Sequence, residues 1–373
     1  NSCREENMKA AVLYQPNTSL EVQDVELEKP HAGEVLVQNL ASGVCRSDWH
    51  VVTGDTKHPL PVVLGHEGAG IIREVGEGVT SLEAGDHVVL SWAPNCGTCY
   101  YCLHGQPQLC QTLVAPLWNG TLMDGTSRLS RQGDTVYHLS GLATFAERSV
   151  VPERTCIPIR KDVPFQAASL VGCAVTTGVG AVVNTARVRP GDSVVVFGCG
   201  GVGLNILQGA DLAGAGMIIA VDKAPAKMEL AENFGATHTI LADEDPVQKI
   251  QELTEGRGAD YAFEAVGIPE LQEKALEAVR PGGALIIAGI APMGSSTNFP
   301  GAILARQEKK VMGSYYGSSY PHRDFPRLLD LYAAGKLKLD ELITQTYPLE
   351  DINQAFQDML AGENARGVIL FDS

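Results

Sequence analysis

Positive charge is scarce in this sequence: 28 Lys and Arg stand against 44 Asp and Glu, a formal net charge of −16. A surface of that sign repels phosphate backbones and anionic lipid headgroups alike, so neither nucleic acid nor a membrane is an expected partner. No apolar run reads as long enough to span a bilayer, and the start lacks the basic-then-apolar pattern of a secretory signal. A cytoplasmic protein is expected. Internal repeats and low-complexity stretches are also missing, which excludes solenoids and arrays. Nine cysteines, an odd number with no signal segment, speak against a disulfide framework and for metal or thiol chemistry.

At 373 residues and 45% hydrophobic content the chain exceeds one ordinary core, so two domains are expected. Residues 1–7 are polar and carry no weight. From about residue 8 to 151, short β-branched runs (35–39, 70–75, 87–90) are punctuated by Gly and Pro, the pattern of an all-β unit. From Ser193 onward apolar strands (194–197, 218–221, 261–265, 285–288) alternate with helical stretches near 204–212 and 224–234. Such alternation means a parallel sheet with helical crossovers. Segments 326–334 and 352–360 read as helices and 367–371 as a last strand; these are expected to pack back on the first domain.

The run Val194-Val195-Val196-Phe197-Gly198-Cys199-Gly200-Gly201-Val202-Gly203 puts G-x-G-x-x-G directly after a strand and at the opening of a helix. Asp222 follows at the end of the next strand, nineteen residues past Gly203. Glycines let the backbone turn tightly and approach a pyrophosphate, whose charge meets the helix N-terminus. The acidic residue takes the ribose hydroxyls and disfavours a 2′-phosphate, which points to NAD over NADP, softened by neighbouring Lys223. An ordinary turn in an α/β sheet is the bland alternative.

Cys96, Cys99, Cys102 and Cys110 form C-x2-C-x2-C-x7-C, a spacing that brings four thiolates to one tetrahedral Zn²⁺. A closed shell of four cysteines is structural. An iron–sulfur site is the rival, but its bacterial pattern has three residues before the fourth Cys and a Pro after it. Cys45, the Gly65-His66-Glu67 step and Cys173 are further candidates, too far apart in sequence for spacing to assemble them. A lone buried Cys is more often a small core hydrophobe.

Gly43-Val44-Cys45-Arg46-Ser47-Asp48-Trp49-His50, Gly65-His66-Glu67-Gly68-Ala69-Gly70, the four-cysteine lobe, Cys173 and Gly198 to Gly203, in that order, resemble the zinc-containing alcohol dehydrogenases of the medium-chain dehydrogenase/reductase superfamily. The resemblance implies an α/β fold: a mainly β, GroES-like catalytic domain (1–174, zinc lobe 96–110), a doubly wound Rossmann domain for NAD (175–315), and a segment (316–373) returning to the catalytic domain. It implies two zinc ions per chain, the catalytic one held by Cys45, His66 and Cys173 in a cleft between the domains. Glu67 matches a residue behind the metal, Asp48 the carboxylate that orients the histidine ligand, Ser47 the hydroxyl that touches the reacting alcohol, and His50 the far end of a proton relay through the nicotinamide ribose. Arg46 and Arg366 match residues at the pyrophosphate and Lys227 one at the adenosine ribose. Thr177, Ala288, Gly289 and Ile290 match the nicotinamide surroundings.

The implied reaction is reversible hydride transfer between an alcohol held at zinc and NAD, giving an aldehyde or ketone. Trp92 stands where the family carries an aromatic wall of the substrate pocket, although core packing explains a Trp equally well. Region 112–142 keeps the long loop shared with thiol-dependent formaldehyde dehydrogenases, an alternative function, and leans toward dimers over tetramers. Leu113, Val114 and Ala115 occupy positions where a glutathione adduct would be expected to meet an Arg. Less favoured are a zinc-independent medium-chain reductase and a non-catalytic zinc-binding protein.

Overall fold

The computed structural model describes residues 6–362 and 364–372. Of the polar stretch 1–7, residues 1–5 lie outside them, as does Cys3, while Glu6 and Asn7 already belong to the first strand, Glu6–Leu13. The chain divides into two compact units, residues 1–173 with 320–373, and residues 174–319.

In the first unit, Glu6–Leu13, Glu21–Leu27, Leu129–Arg131, Asp134–His138 and Val62–Val63 close into a barrel. Its interior is apolar, with Met8, Ala10, Val12, Val25, Leu27, Val63 and Val136 buried together. A seven-stranded sheet is organised on Glu34–Gly43, which pairs antiparallel with Gly68–Val75, Arg148–Pro152 and Arg366–Leu370. The last pairing sets Val368 against Gly43 and so delivers Arg366 from the far end of the chain to the segment leading into Cys45. The unit is not purely β as the residue pattern suggests. The helix Arg46–Val52 follows Cys45 directly, and Asp48 in its first turn is buried.

Arg128 is the largest fully buried side chain, neutralised by Glu34 at 2.7 Å and Asp124 at 2.6 Å. Its backbone N–H donates to His138 Nε2 at 3.1 Å, so the ring proton of a neutral His138 resides on Nδ1. Burial, reinforced by the Arg128 charge, pushes His138 down to about 3. Below pH ~6.5 the unfolded chain takes up a proton that the folded chain refuses until about pH 3, so stability falls with falling pH across that window by about 1.4 kcal/mol per unit. His138→Gln, which keeps an acceptor for the Arg128 N–H, is expected to flatten this acid loss between pH 6.5 and 4 in circular-dichroism melts. Parallel pH slopes for native and variant would count against it.

The second unit carries six parallel strands: Ser193–Phe197, Met217–Asp222, His238–Leu241, Ala259–Glu264, Val279–Ile287 and Lys310–Gly313. Numbered along the chain they lie in the order 3-2-1-4-5-6, the doubly wound arrangement. The order reverses between the first and fourth strands, where Phe197 is paired with Glu264. Ligands of such sheets sit outside the carboxyl ends of the strands at this switch point.

Helix bounds shift where proline misleads. Segment 326–334 belongs to a helix running Pro321–Ala333, which opens on Pro321 at its first turn and carries Pro326 inside. The run Phe165–Ala186 corrects the expectation that no segment could span a bilayer: its 22 residues are long and apolar enough by length and composition. Some 89% of its most apolar stretch is buried inside the protein, which is how a core helix meets the same test. Two segments of it, Val171–Val175 and Ala181–Ala186, are wound as π-helix. π-Bulges occur frequently at functional sites, and Cys173 lies in the first.

Candidate active site

Cys45, His66, Glu67 and Cys173, all buried, bring their donor atoms within 4.8 Å of one another. Cys45 ends the segment that follows strand Glu34–Gly43, His66 and Glu67 precede strand Gly68–Val75, and Cys173 comes from the π-turn. Asp48 Oδ1 accepts the Gly65 N–H at 2.9 Å and lies 3.0 Å from His66 Nδ1. One buried carboxylate thus shapes the Gly65–His66 turn and places the ring proton on Nδ1. His66 Nε2 then keeps its lone pair, and it is buried with no hydrogen-bond partner. A buried orphan nitrogen beside two thiols fits a metal, because an uncompensated polar atom there would be costly. Two sulfurs and one imidazole leave the open position of a catalytic zinc.

The two thiols are unequal. A hydrogen bond from Cys173 brings Cys45 well below its ordinary value, while the same contact and burial raise Cys173. Burial lifts Glu67 to about 7 against the pull of Arg366. The Arg366 guanidinium Nη2 donates to Glu67 Oε2 and, at 3.1 Å, to the Val44 carbonyl. Gly43 leaves room for this pair, since a Cβ there would collide with Glu67 Oε2. Arg366 is therefore no solvated surface charge. Ser47 Oγ stands 3.7 Å from Cys45 Sγ, and His50, one turn later in the same helix, has Nδ1 3.3 Å from Asp55. Arg46 in that helix is exposed.

In the lobe, sulfurs stand 3.5 Å (Cys99–Cys102), 3.8 Å (Cys99–Cys110) and 4.0 Å (Cys96–Cys102) apart. A tetrahedron with Zn–S bonds of ~2.3 Å has edges of about 3.8 Å, whereas a disulfide would sit near 2.05 Å. All eight described cysteines are free thiols. The Thr98 hydroxyl and N–H draw Cys96 down to about 5, while burial pushes Cys102 up to about 12. Four sulfurs packed so closely cannot all ionise without a cation between them, and the lobe fits zinc for that reason.

At the dinucleotide loop Gly200 precedes helix Gly201–Leu212. A Cβ on Gly203 would collide with the Gly198 carbonyl and one on Gly198 with Val266, but a Cβ on Gly200 would meet nothing within 4 Å. Two glycines serve the fold, and the third leaves open the space in which a pyrophosphate would lie against the helix N-terminus. Asp222, 8% exposed, accepts the Cys199 N–H at 2.7 Å and that of Ala224 at 3.0 Å, and Lys227 Nζ stands 3.7 Å away. Thr177 is buried in its helix. Ala288 and Gly289 follow strand Val279–Ile287 and both donate backbone N–H groups to the Glu264 carbonyl; Ile290 is 61% exposed.

Trp92 is half-buried and packs on the cluster of Val35, Val37, Val88 and Leu90, so core packing accounts for part of its surface. Leu113 is half-buried and Val114 buried, while the side chain of Ala115 lies outside the described residues. Residue patterns missed Glu264. It is fully buried at the end of its strand, and the signal was an acidic residue closing an apolar run two positions before Val266-Gly267.

Residues 31–161 match the family model for an alcohol dehydrogenase GroES-like domain and residues 201–334 that for a zinc-binding dehydrogenase. The chain is 42% identical over 374 residues to S-(hydroxymethyl)glutathione dehydrogenase of Paracoccus denitrificans, spanning 97% of this chain and 99% of that one. It is 41% identical over 365 residues to the NDMA-dependent alcohol dehydrogenase of Amycolatopsis methanolica, with 97% and 98% covered. Its structure is similar to benzyl alcohol dehydrogenase from Acinetobacter calcoaceticus at a TM-score of 0.93 and 35% identity, covering 98% of this chain and 100% of that one.

Proposed function

This chain belongs to the zinc-containing alcohol dehydrogenase family, and from that membership we propose that it oxidises a small alcohol with NAD as hydride acceptor, as a cytoplasmic dimer with two zinc ions per chain. The observation that carries the proposal is the buried convergence of Cys45, His66 and Cys173 with an orphaned His66 Nε2. NAD over NADP is supported by Asp222, whose charge at the end of the second strand repels a 2′-phosphate. The dimer is supported by the open outer edge of strand Lys310–Gly313 and by exposed Ile303 and Tyr315 in the same unit.

Zinc bound at Cys45, His66 and Cys173 supplies Lewis-acid polarisation of the substrate hydroxyl, which would otherwise hold its proton far too tightly at neutral pH. Asp48 holds His66 in the tautomer that presents Nε2. Ser47, beside Cys45, would accept the substrate hydroxyl proton while handing on its own, and His50, one turn later on the same helix, would exchange a proton with solvent. Glu67 is restrained by Arg366 behind the ligands. Within residues 174–319, Gly200 and the helix N-terminus would hold the pyrophosphate, Asp222 and Lys227 the adenosine ribose, and Thr177, Ala288, Gly289 and Ile290 would border the nicotinamide.

Oxidation of a thiol–formaldehyde adduct is a second reading, favoured by the identity to S-(hydroxymethyl)glutathione dehydrogenase. Initial rates with primary, secondary, polyol and thiol-adduct substrates, each with NAD, NADP and NDMA as acceptor, separate these possibilities. Faster turnover with NAD than NADP is expected, and NADP equal to NAD would sink the assignment to Asp222. His50→Ala is expected to slow alcohol oxidation about 10-fold or more near neutral pH and to flatten its pH profile, as loss of a general base does. A variant with native steady-state rates from pH ~6 to ~8 would remove His50 from the proton path.

A further inference from the structure

The switch point of the parallel sheet holds a buried acid to which the dinucleotide motif assigns no part. Glu264 ends the fourth strand, fully buried and paired with Phe197, the residue before Gly198. One carboxylate oxygen accepts two successive backbone N–H groups, from Val266 and Gly267, both at 2.7 Å. The other accepts from the Gln272 side chain at 3.3 Å, and Gln272 in turn accepts from the Thr297 hydroxyl at 2.5 Å. Meanwhile the Glu264 carbonyl accepts the N–H groups of Ala288 at 2.9 Å and Gly289 at 2.8 Å. A single residue therefore ties down the turns at the carboxyl ends of two strands.

Packing around that turn is tight enough to transmit its position. A Cβ on Gly198 would collide with Val266, one on Gly267 with the Ile290 carbonyl, and one on Gly289 with the Gly267 nitrogen. Gly267 itself has φ +87°, a left-handed conformation that other residues rarely adopt. The Val266–Gly267 turn is wedged between the glycine loop on one side and Gly289–Ile290 on the other. Neither can shift without the turn shifting.

We propose that Glu264 is a positioning residue for the dinucleotide: through the Val266–Gly267 turn it sets the spacing between Gly198 and Gly289–Ile290, and so the fit of the pyrophosphate and the nicotinamide of a dinucleotide. The proposal rests on the reading that this unit binds NAD. A carboxylate accepting two backbone N–H groups makes charge-assisted bonds that a neutral amide only partly replaces. Glu264→Gln also sets an NH₂ group against the Gln272 NH₂, whereas Glu264→Gln combined with Gln272→Glu restores donor opposite acceptor while leaving the acid in the pair.

The test measures equilibrium binding of NADH by nicotinamide fluorescence, kcat and KM for NAD, zinc content and Tm in the native zinc enzyme and these variants. Glu264→Gln is expected to weaken NADH binding and raise KM for NAD by about tenfold, with kcat within about threefold and zinc unchanged. The double variant is expected to recover most of the affinity, and it carries the test should the single variant fail to fold. A glutamate with a merely structural role would lower Tm and the active fraction but leave the NADH Kd unmoved, which overturns the proposal. So does a folded double variant that binds no better than the single one. Native enzyme that binds no nicotinamide dinucleotide at all overturns the NAD reading and this proposal with it, a result distinguishable from a variant-specific null.

Discussion

His66→Ala is expected to fold with its four-cysteine lobe intact, to purify with about one zinc per chain in place of about two, and to turn over alcohol at least ~10³-fold more slowly. The magnitude follows from what a metal supplies to a developing oxyanion, several kcal/mol, with each ~1.4 kcal/mol worth a factor of ten. His66 is linked to the rest of the protein by its Nδ1 contact to Asp48, while Gly65 N–H holds Asp48 independently of the ring. Elemental analysis with initial-rate measurements reads the outcome. A variant that loses a zinc but keeps native turnover would show that the buried quartet is not where the reaction happens.

Cys110→Ser is expected to act on folding instead. Cys110 is the buried member of the lobe, and its sulfur also accepts the Cys96 N–H at 3.4 Å. Structural zinc contributes folding free energy directly, and loss of even ~4 kcal/mol from a unit of this size lowers Tm by roughly 10 °C. Native protein stripped by a chelator should melt near the variant, because both lose the same tether. If chelation left the native Tm unchanged while zinc fell, the lobe would be holding its shape without the ion. The exposed side chains around it, Tyr100 and Leu103 among them, offer little core to do so.

How far the sequence carried depended on how locally each feature is encoded. The lobe lies within fifteen residues, so spacing alone named the four cysteines whose sulfurs the structure brings together. The glycine loop and Asp222 were legible because a doubly wound sheet places successive strand ends side by side at a known interval. The buried convergence of Cys45, His66 and Cys173 was legible only through resemblance: they meet through antiparallel pairing of Glu34–Gly43 with Gly68–Val75 and through a π-turn, neither of which spacing reports. The Arg366–Glu67 contact depends on a strand more than three hundred residues from its partner in the sheet. The helix Arg46–Val52 was hidden because it is a single short amphipathic stretch inside a β-rich unit. Glu264 was passed over because its signal, an acid closing an apolar run before Val266-Gly267, is shared by exposed strand ends as well as by a buried clamp.

Gly200 has a consequence for anyone redesigning this enzyme. Its backbone sits at φ −82°, ψ −170°, comfortable for any amino acid, and a Cβ there would touch no neighbour. Gly→Ala at such a position raises stability by about 0.4–1 kcal/mol through the unfolded chain, so a stability-guided search of the ligand-free protein would select it. On the proposed reading, the same methyl group would occupy the place where a pyrophosphate approaches. Optimising the fold in isolation would then be rewarded for closing the proposed binding site.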